Sequence, residues 1–181
     1  MTLWFTADTH FGHKNILKYC SRPYRNVTEM DEHLISQWNY RVRPGDVVWH
    51  LGDFAFYNAE RAVEIVMQLN GTKHLVEGNH DRKLLKSAYF REHWASVHDR
   101  TEIVLGHQQV VLDHYPLADW DGKFHGSYML HGHSHSTVSS RGMRRLDVGV
   151  DNVQDFKPIA ASTVCAELSA IKSPRADSHR D

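Results

Sequence analysis

The chain has 181 residues, 41% of them hydrophobic and 24% charged, so it is long enough to bury an ordinary core and its composition gives no reason to expect disorder. Its formal net charge of -1 excludes a whole-molecule field that draws in polyanions and leaves nucleic acid to a local basic patch. The two cysteines, Cys20 and Cys165, are too few for a disulfide framework and suit a reducing, cytoplasmic setting, and no apolar run reaches membrane-spanning length.

In chain order, LWFTAD (3–8) reads as a strand, which leaves no stretch ahead of it for a leader. THFGH breaks the pattern, and Lys14 to Tyr19 has room for a helical turn or two. From Thr28, TEMDEHLISQWNYRV sets Met30, Leu34, Ile35, Trp38 and Val42 at helical spacing, with Thr28 and Asp31 in capping-box-like positions and Pro44-Gly45 as its end. DVVWHLGD (46–53) is a second buried strand, NAERAVEIVMQLNG (58–71) an amphipathic helix closed by Asn70-Gly71, and KHLVEGNHD (73–81) a third strand. This β-α-β-α-β alternation predicts strands paired in parallel and covered by helices.

DRKLLKSAYFREHW (81–94) reads as one more helix, after which the chain turns β-rich. TEIVLGHQQVVLDHYP carries two strands about a Gly106-His107 turn, SYMLHGHSH and MRRLDVGVD read as further strands, and ADWDGKFHG (118–126) reads as a loop beside a site. No internal repeat or linker is visible. One domain is expected over 1–171, with the polar end 172–181 as a disordered tail.

The compositional oddity is 15 histidines. In MLHGHSHST, His131, His133 and His135 alternate, so an extended backbone would set them on one face about 6.5 to 7 Å apart, a spacing that suits metal ligands but also a solvated loop. The rest of the chain decides between these. LWFTADTH, VVWHLGD, HLVEGNHD, VVLDHYP and YMLHGHSH each end in Asp, Asn or His, and in open α/β sheets the ends of neighbouring strands form one crevice. The donors so gathered are Asp8, His10, Asp53, Asn79, His114, His133 and His135. They exceed what one catalytic ion takes, and with a carboxylate able to bridge they fit two ions about 3.5 to 4 Å apart.

The same ordered set, ADTH, LGDF, EGNHD, LDHYP and HGHSH, resembles the calcineurin-like metallophosphoesterase superfamily from about residue 2 to about residue 158. FTADTHFGH and VGVDNVQDFKPI further resemble its compact, stand-alone prokaryotic and phage members. The resemblance implies a four-layer α/β/β/α sandwich, two mixed sheets face to face with helices outside. It places Asp8, His10, Asp53 and His135 on one metal, and Asp53, Asn79, His114 and His133 on the other, with Asp53 as bridge. The nitrogen and oxygen donors suit Mn²⁺, Fe or Zn²⁺, with Mn²⁺ favoured. The implied reaction is phosphoester hydrolysis by a metal-bridging hydroxide with His80 as general acid. A diester is favoured over a monoester, and no Gly-x-Ser-x-Gly nucleophile is present.

Around His80 the pattern departs from many superfamily members, which carry another Asp shortly after Gly-Asp; here the sequence is GDFAFYN. Asp81 could orient His80, but as a helix-starting Asp it reads first as an N-cap. His13 and Asn15 are candidate contacts to the substrate phosphate, against solvated helix-start residues. His50 and His131 could fix ligand tautomers, with packing favoured for His50. His33 and His93 read as surface residues, and Trp4, Trp38 and Trp49 as core. Tyr115, Trp120 and Phe124 could stack on a base or line a wall. The expected partner is a small phosphate ester or a nucleotide. The alternatives are a nuclease using Arg141, Arg144 and Arg145, a one-zinc hydrolase, and a non-catalytic scaffold of the same fold.

Overall fold

The alternating first half folds as a parallel sheet in the computed structural model, which describes residues 1–172. Strand β1 (Leu3–Thr6) leads through the one-turn α1 (Ile16–Tyr19) and the long α2 (Val27–Arg41) to β2 (Val47–His50). Then α3 (Ala59–Gln68) leads to β3 (Thr72–Val76), and β2 pairs in parallel with both β1 and β3. The apolar spacing of α2 does what it predicts, since Met30, Leu34 and Trp38 are buried on the outer face of this sheet beside Ala62, Val63, Ile65 and Val66 of α3.

Its start differs from expectation. Asn26 caps α2 by accepting the Glu29 N–H, while Asp31 turns inward to accept the Gly12 N–H and the Tyr57 hydroxyl, bracing the loop after β1.

The single helix expected over 81–94 is also broken. A 3₁₀ segment (Asp81–Lys86) and one turn, α4 (Ala88–Arg91), replace it, because the Asp81 side chain is drawn into the core and Ser87 restarts the helix by capping Phe90. The short strand β4 (Ser96–His98), which no sequence pattern announces, then extends the sheet beside β3.

The expected hairpin forms between β5 (Arg100–Leu105) and β6 (Gln108–Asp113), with Leu105 opposite Gln108 across the Gly106-His107 turn and Gly106 at φ 64°. Strands β7 (Tyr128–His131) and β8 (Arg145–Asp147) follow in parallel. The short β9 (Ile159–Ala160) returns antiparallel to β1, and α5 (Ala161–Ser169) closes the described chain. The result is a five-stranded sheet, β4-β3-β2-β1-β9, and a four-stranded one, β5-β6-β7-β8, both mixed.

Alternation along each strand splits the core into layers. Trp4, Val48 and Leu75 face the helices, whereas Phe5, Trp49, Leu51 and Val76 meet Val110, Leu112, Tyr128 and Leu130 between the sheets. The helical cover is thick on one side. The outer face of the second sheet, at Val111 and Met129, packs under Trp120 from the loop that holds a 3₁₀ turn (Lys123–His125). No described helix is long and apolar enough to cross a membrane. Apart from Lys172, the expected tail lies outside the described residues.

Candidate metal centre

The strands end together, and beyond each end the backbone turns abruptly. Asp8, His10, Asp53, His133 and His135 all have positive φ, between 43° and 65°, a left-handed conformation that non-glycine residues seldom adopt. Each such residue costs of order 1 kcal/mol, and such strain collects where a site over-determines the backbone. The turns swing carboxylates and imidazoles away from the sheets into one crevice. They also overturn the shared face expected for His131, His133 and His135. The backbone past β7 is bent rather than extended, so His131 is buried with Nδ1 2.8 Å from the Gly132 carbonyl, while the other two diverge.

Two donor groups result. Asp8, His10 and His135 bring ligand-capable atoms within 4.8 Å of one another, and so do Asp53, His114 and His133. Asp53 faces both: its Oδ2 is 3.6 Å from His10 Nε2 and its Oδ1 is 3.5 Å from His114 Nε2. Asn79 joins the second group, with Oδ1 3.1 Å from His114 Nε2.

The donors suit divalent cations. Asp8 is fully buried, and burial raises its pKa well above the carboxylate range although the charge on His135 opposes this. Burial holds the His10 and His114 pKa values down, so these imidazoles offer lone pairs rather than charge. Burial opposes charge on His135 too, yet its bond to Asp151, the Cys20 thiol and the Asp8 charge raise it to about 10. The buried carboxylates thus draw positive charge into the crevice, and cations would supply it. The motif glycines leave space for these oxygens. A Cβ on Gly132 would lie 2.5 Å from Asp8 Oδ2, and one on Gly78 would strike Asp53.

A second layer of groups aims the donors. The Leu51 carbonyl accepts from His114 Nδ1 at 2.8 Å, which turns Nε2 toward the crevice. Asp151 accepts from His135 Nδ1 at 2.7 Å and is gripped by Arg22 through Nε and Nη2 at 2.7 and 2.8 Å. Arg22 also donates to the Asp8 and Thr9 carbonyls, so one buried guanidinium ties the first loop to the last. Sequence reasoning singled out neither Arg22 nor Asp151 as functional. They pair across 129 positions, and only the VGVDN stretch around Asp151 carried any signal. Cys20 also lies within ligand reach of His135 and Asp151, but both Asp151 oxygens are already engaged and a cation there would abut Arg22.

A family model described as calcineurin-like phosphoesterase matches residues 1–160. The chain belongs to the calcineurin-like phosphoesterase family. It is 35% identical over 170 residues to the uncharacterized protein MJ1445 of Methanocaldococcus jannaschii, covering 90% of this chain and 88% of that one. It is 30% identical over 185 aligned positions to the gene 66 protein of Mycobacterium phage D29, covering 87% and 92%. Its fold matches the crystal structure of AQ665, a protein of unknown function from Aquifex aeolicus, with TM-score 0.74 and 23% identity over 92% of this chain and 98% of that one. Membership implies hydrolysis of phosphoesters with divalent metal ions.

The phosphoesterase crevice is a cavity of about 490 Å³ whose lining includes His10, Asp53, His133, His135 and His80. The His80 backbone N–H donates to Asp53 Oδ1 at 2.9 Å, its Nε2 is 3.9 Å from Asp53 Oδ2, and its ring packs against Phe56 at 4.7 Å. Asp81 neither orients His80 nor caps a helix with its side chain. Its buried carboxylate accepts the N–H groups of Asp53, Phe54 and Gly78, and burial pushes its pKa up to about 7 against those bonds. Asp81→Asn sets an NH₂ group against these donors and should cost about 3 kcal/mol of stability, read as a lowered denaturation midpoint.

His13 lines the crevice, stacked on Phe56. Asn15 does not: it precedes α1, whose Ile16 points into the crevice, and lines a separate groove with Lys14, Lys18 and Arg25. His50 is buried, with Nε2 2.9 Å from Thr9 Oγ1, and its pKa is lowered by burial to about 3. His33 and His93 are partly exposed, each with a ring nitrogen near a backbone carbonyl. Tyr115 stands against His133 at 4.7 Å, Trp120 is buried, and Phe124 is exposed.

Proposed function

We propose that the chain is a binuclear phosphodiesterase, with Asp8, His10, Asp53 and His135 holding one divalent cation and Asp53, Asn79, His114 and His133 the other. The observation that carries this reading is the stance of Asp53, one oxygen toward each donor group. Manganese is the proposed metal, with iron or zinc as alternatives, since the donors are nitrogen and oxygen.

Bound there, the two cations would lower the pKa of water and offset charge on the phosphate. The chain's own residues do the rest. His80 Nε2, half-exposed at the rim, donates a proton to the departing oxygen, and the Asp53 bond to its backbone N–H fixes where the ring stands. Arg22, Asp151 and the Leu51 carbonyl hold the imidazoles in place before substrate arrives. Asp151→Asn should therefore weaken metal affinity about 10- to 100-fold in a metal titration.

Two features favour a diester. Among the described residues no lysine or arginine lines the main crevice, so no such side chain adds to the two proposed cations in offsetting the extra charge of a monoester. On the Asn79 side a second hollow of about 170 Å³, lined by Glu77, Arg82, Asp99 and Tyr115 among others, offers room for another substituent. The test is hydrolysis of bis(4-nitrophenyl) phosphate against 4-nitrophenyl phosphate with added Mn²⁺, Zn²⁺ or Fe²⁺. Faster turnover of the diester supports the reading. Inactivity with every metal would leave a scaffold.

The nuclease alternative loses most of its arginines. Arg145 is buried and donates to the Leu117 and Ser139 carbonyls, and Arg144 donates to those of Ile171 and Gly126.

A further inference from the structure

We infer that His74 and His98, gathered on the Ser96 hydroxyl at the open edge of the first sheet, form a separate cation site for a late first-row divalent metal such as Zn²⁺ or Cu²⁺. Neither histidine lines the crevice, and the inference does not rest on the function proposed above.

The fold brings three polar side chains to a face that is otherwise apolar. His74 lies opposite Ser96 in the register of β3 with β4, and His98 stands two positions further along β4, so all three project between the sheets. Trp49, opposite His74 on β2, faces the same way, and Leu3, Phe5 and Val76 fill out that face. Strand β4 has no neighbour on its far side, and His74, Ser96 and His98 are each only partly buried. Ions in solution can reach them.

The ring nitrogens converge. Ser96 Oγ lies 2.7 Å from His74 Nδ1 and 2.8 Å from His98 Nε2, so both nitrogens point at one spot. The hydroxyl has one hydrogen for two imidazoles, so one ring must donate its own N–H, and a tautomer change frees both lone pairs. Zinc-bound imidazole nitrogens lie about 2.0 to 2.1 Å from the ion. Turning Ser96 about χ1 clears the spot, and a small inward shift of the two rings closes the remaining gap. Trp49 holds the rings from below, its centroid 4.5 Å from that of His74 at 19° and 5.6 Å from that of His98. An imidazole that gains positive charge from its metal is attracted to that indole face.

Chemistry narrows the ion. Among the described residues no carboxylate, thiol or third imidazole joins the pair. Two imidazoles suit zinc, copper and nickel, whereas magnesium, calcium and manganese favour oxygen donors. Burial and the neighbouring His98 lower the His74 pKa, which leaves the ring neutral and able to ligate at neutral pH. Water completes the shell, so the ion exchanges. While bound it ties the edge strand β4 to β3, the strand that leads to Asn79.

The test counts zinc. Metal-stripped protein is dialysed against Zn²⁺, and the ions held per chain are compared between the wild type and His98→Phe, which keeps a ring without a ligand atom. The wild type should hold one zinc more, a difference that stands whatever the crevice takes. His74→Phe should lose the same ion, and Ser96→Ala, which removes the competing hydroxyl, should keep it with equal or tighter affinity. Dialysis against Mn²⁺ should show no such difference. In the wild type the added zinc should shift the NMR signals of His74 Nδ1 and His98 Nε2, and these signals decide alone if a Phe variant has lost its unfolding transition. Equal zinc counts in the wild type and both folded Phe variants, a difference that appears with Mn²⁺ as well, or ring signals unmoved at saturating zinc would overturn the inference.

Discussion

Replacing His80 with alanine should lower turnover of an alkyl phosphodiester about 10²- to 10⁴-fold while leaving metal content unchanged. The reason lies in how the residue is held. Only its backbone N–H bonds to Asp53, and its ring stands at the rim, 45% exposed, so deleting the ring removes a proton donor without disturbing the donor groups below. An alkyl leaving group is essential to the measurement, because a 4-nitrophenolate leaves without a proton and would hide the loss. A small effect with the alkyl ester, beside intact metal content, removes His80 from the reaction.

Asp53→Asn should act earlier, on the metal centre itself, and reduce both metal content and turnover to background. Asp53 has an oxygen directed at His10 and another at His114, and asparagine keeps one oxygen while turning an uncharged NH₂ group on the other side. The charge lost is also the one that would offset two adjacent dications. Because Asp53 Oδ1 accepts the His80 N–H, the variant should be checked by its unfolding midpoint, so that loss of metal is separated from loss of fold. Full occupancy in a stable Asp53→Asn protein would refute the bridging role.

These residues were legible in the sequence because strand ends are legible. The β-α-β-α-β rhythm sets Asp8, Asp53 and Asn79 at the same edge of one sheet, and the Gly106-His107 hairpin brings the chain back through His114. Backbone direction beyond the strands was not. Nothing local in GHSH announces that His133 and His135 take positive φ, and an alternating pattern invites the extended reading that the fold rejects. The helix expected at 81–94 failed for a related reason. Its propensity is helical, but the carboxylate of Asp81 satisfies three backbone N–H groups near Asp53 and Gly78, which outweighs a regular first turn. The Arg22–Asp151 pair was invisible because its partners meet only in three dimensions.

The most direct measurement is the anomalous scattering of crystals grown with manganese. Two peaks are expected, one among Asp8, His10, Asp53 and His135 and one among Asp53, Asn79, His114 and His133, with Asp53 touching both. A lone peak, a pair that Asp53 does not bridge, or an empty crevice at saturating manganese would contradict the account.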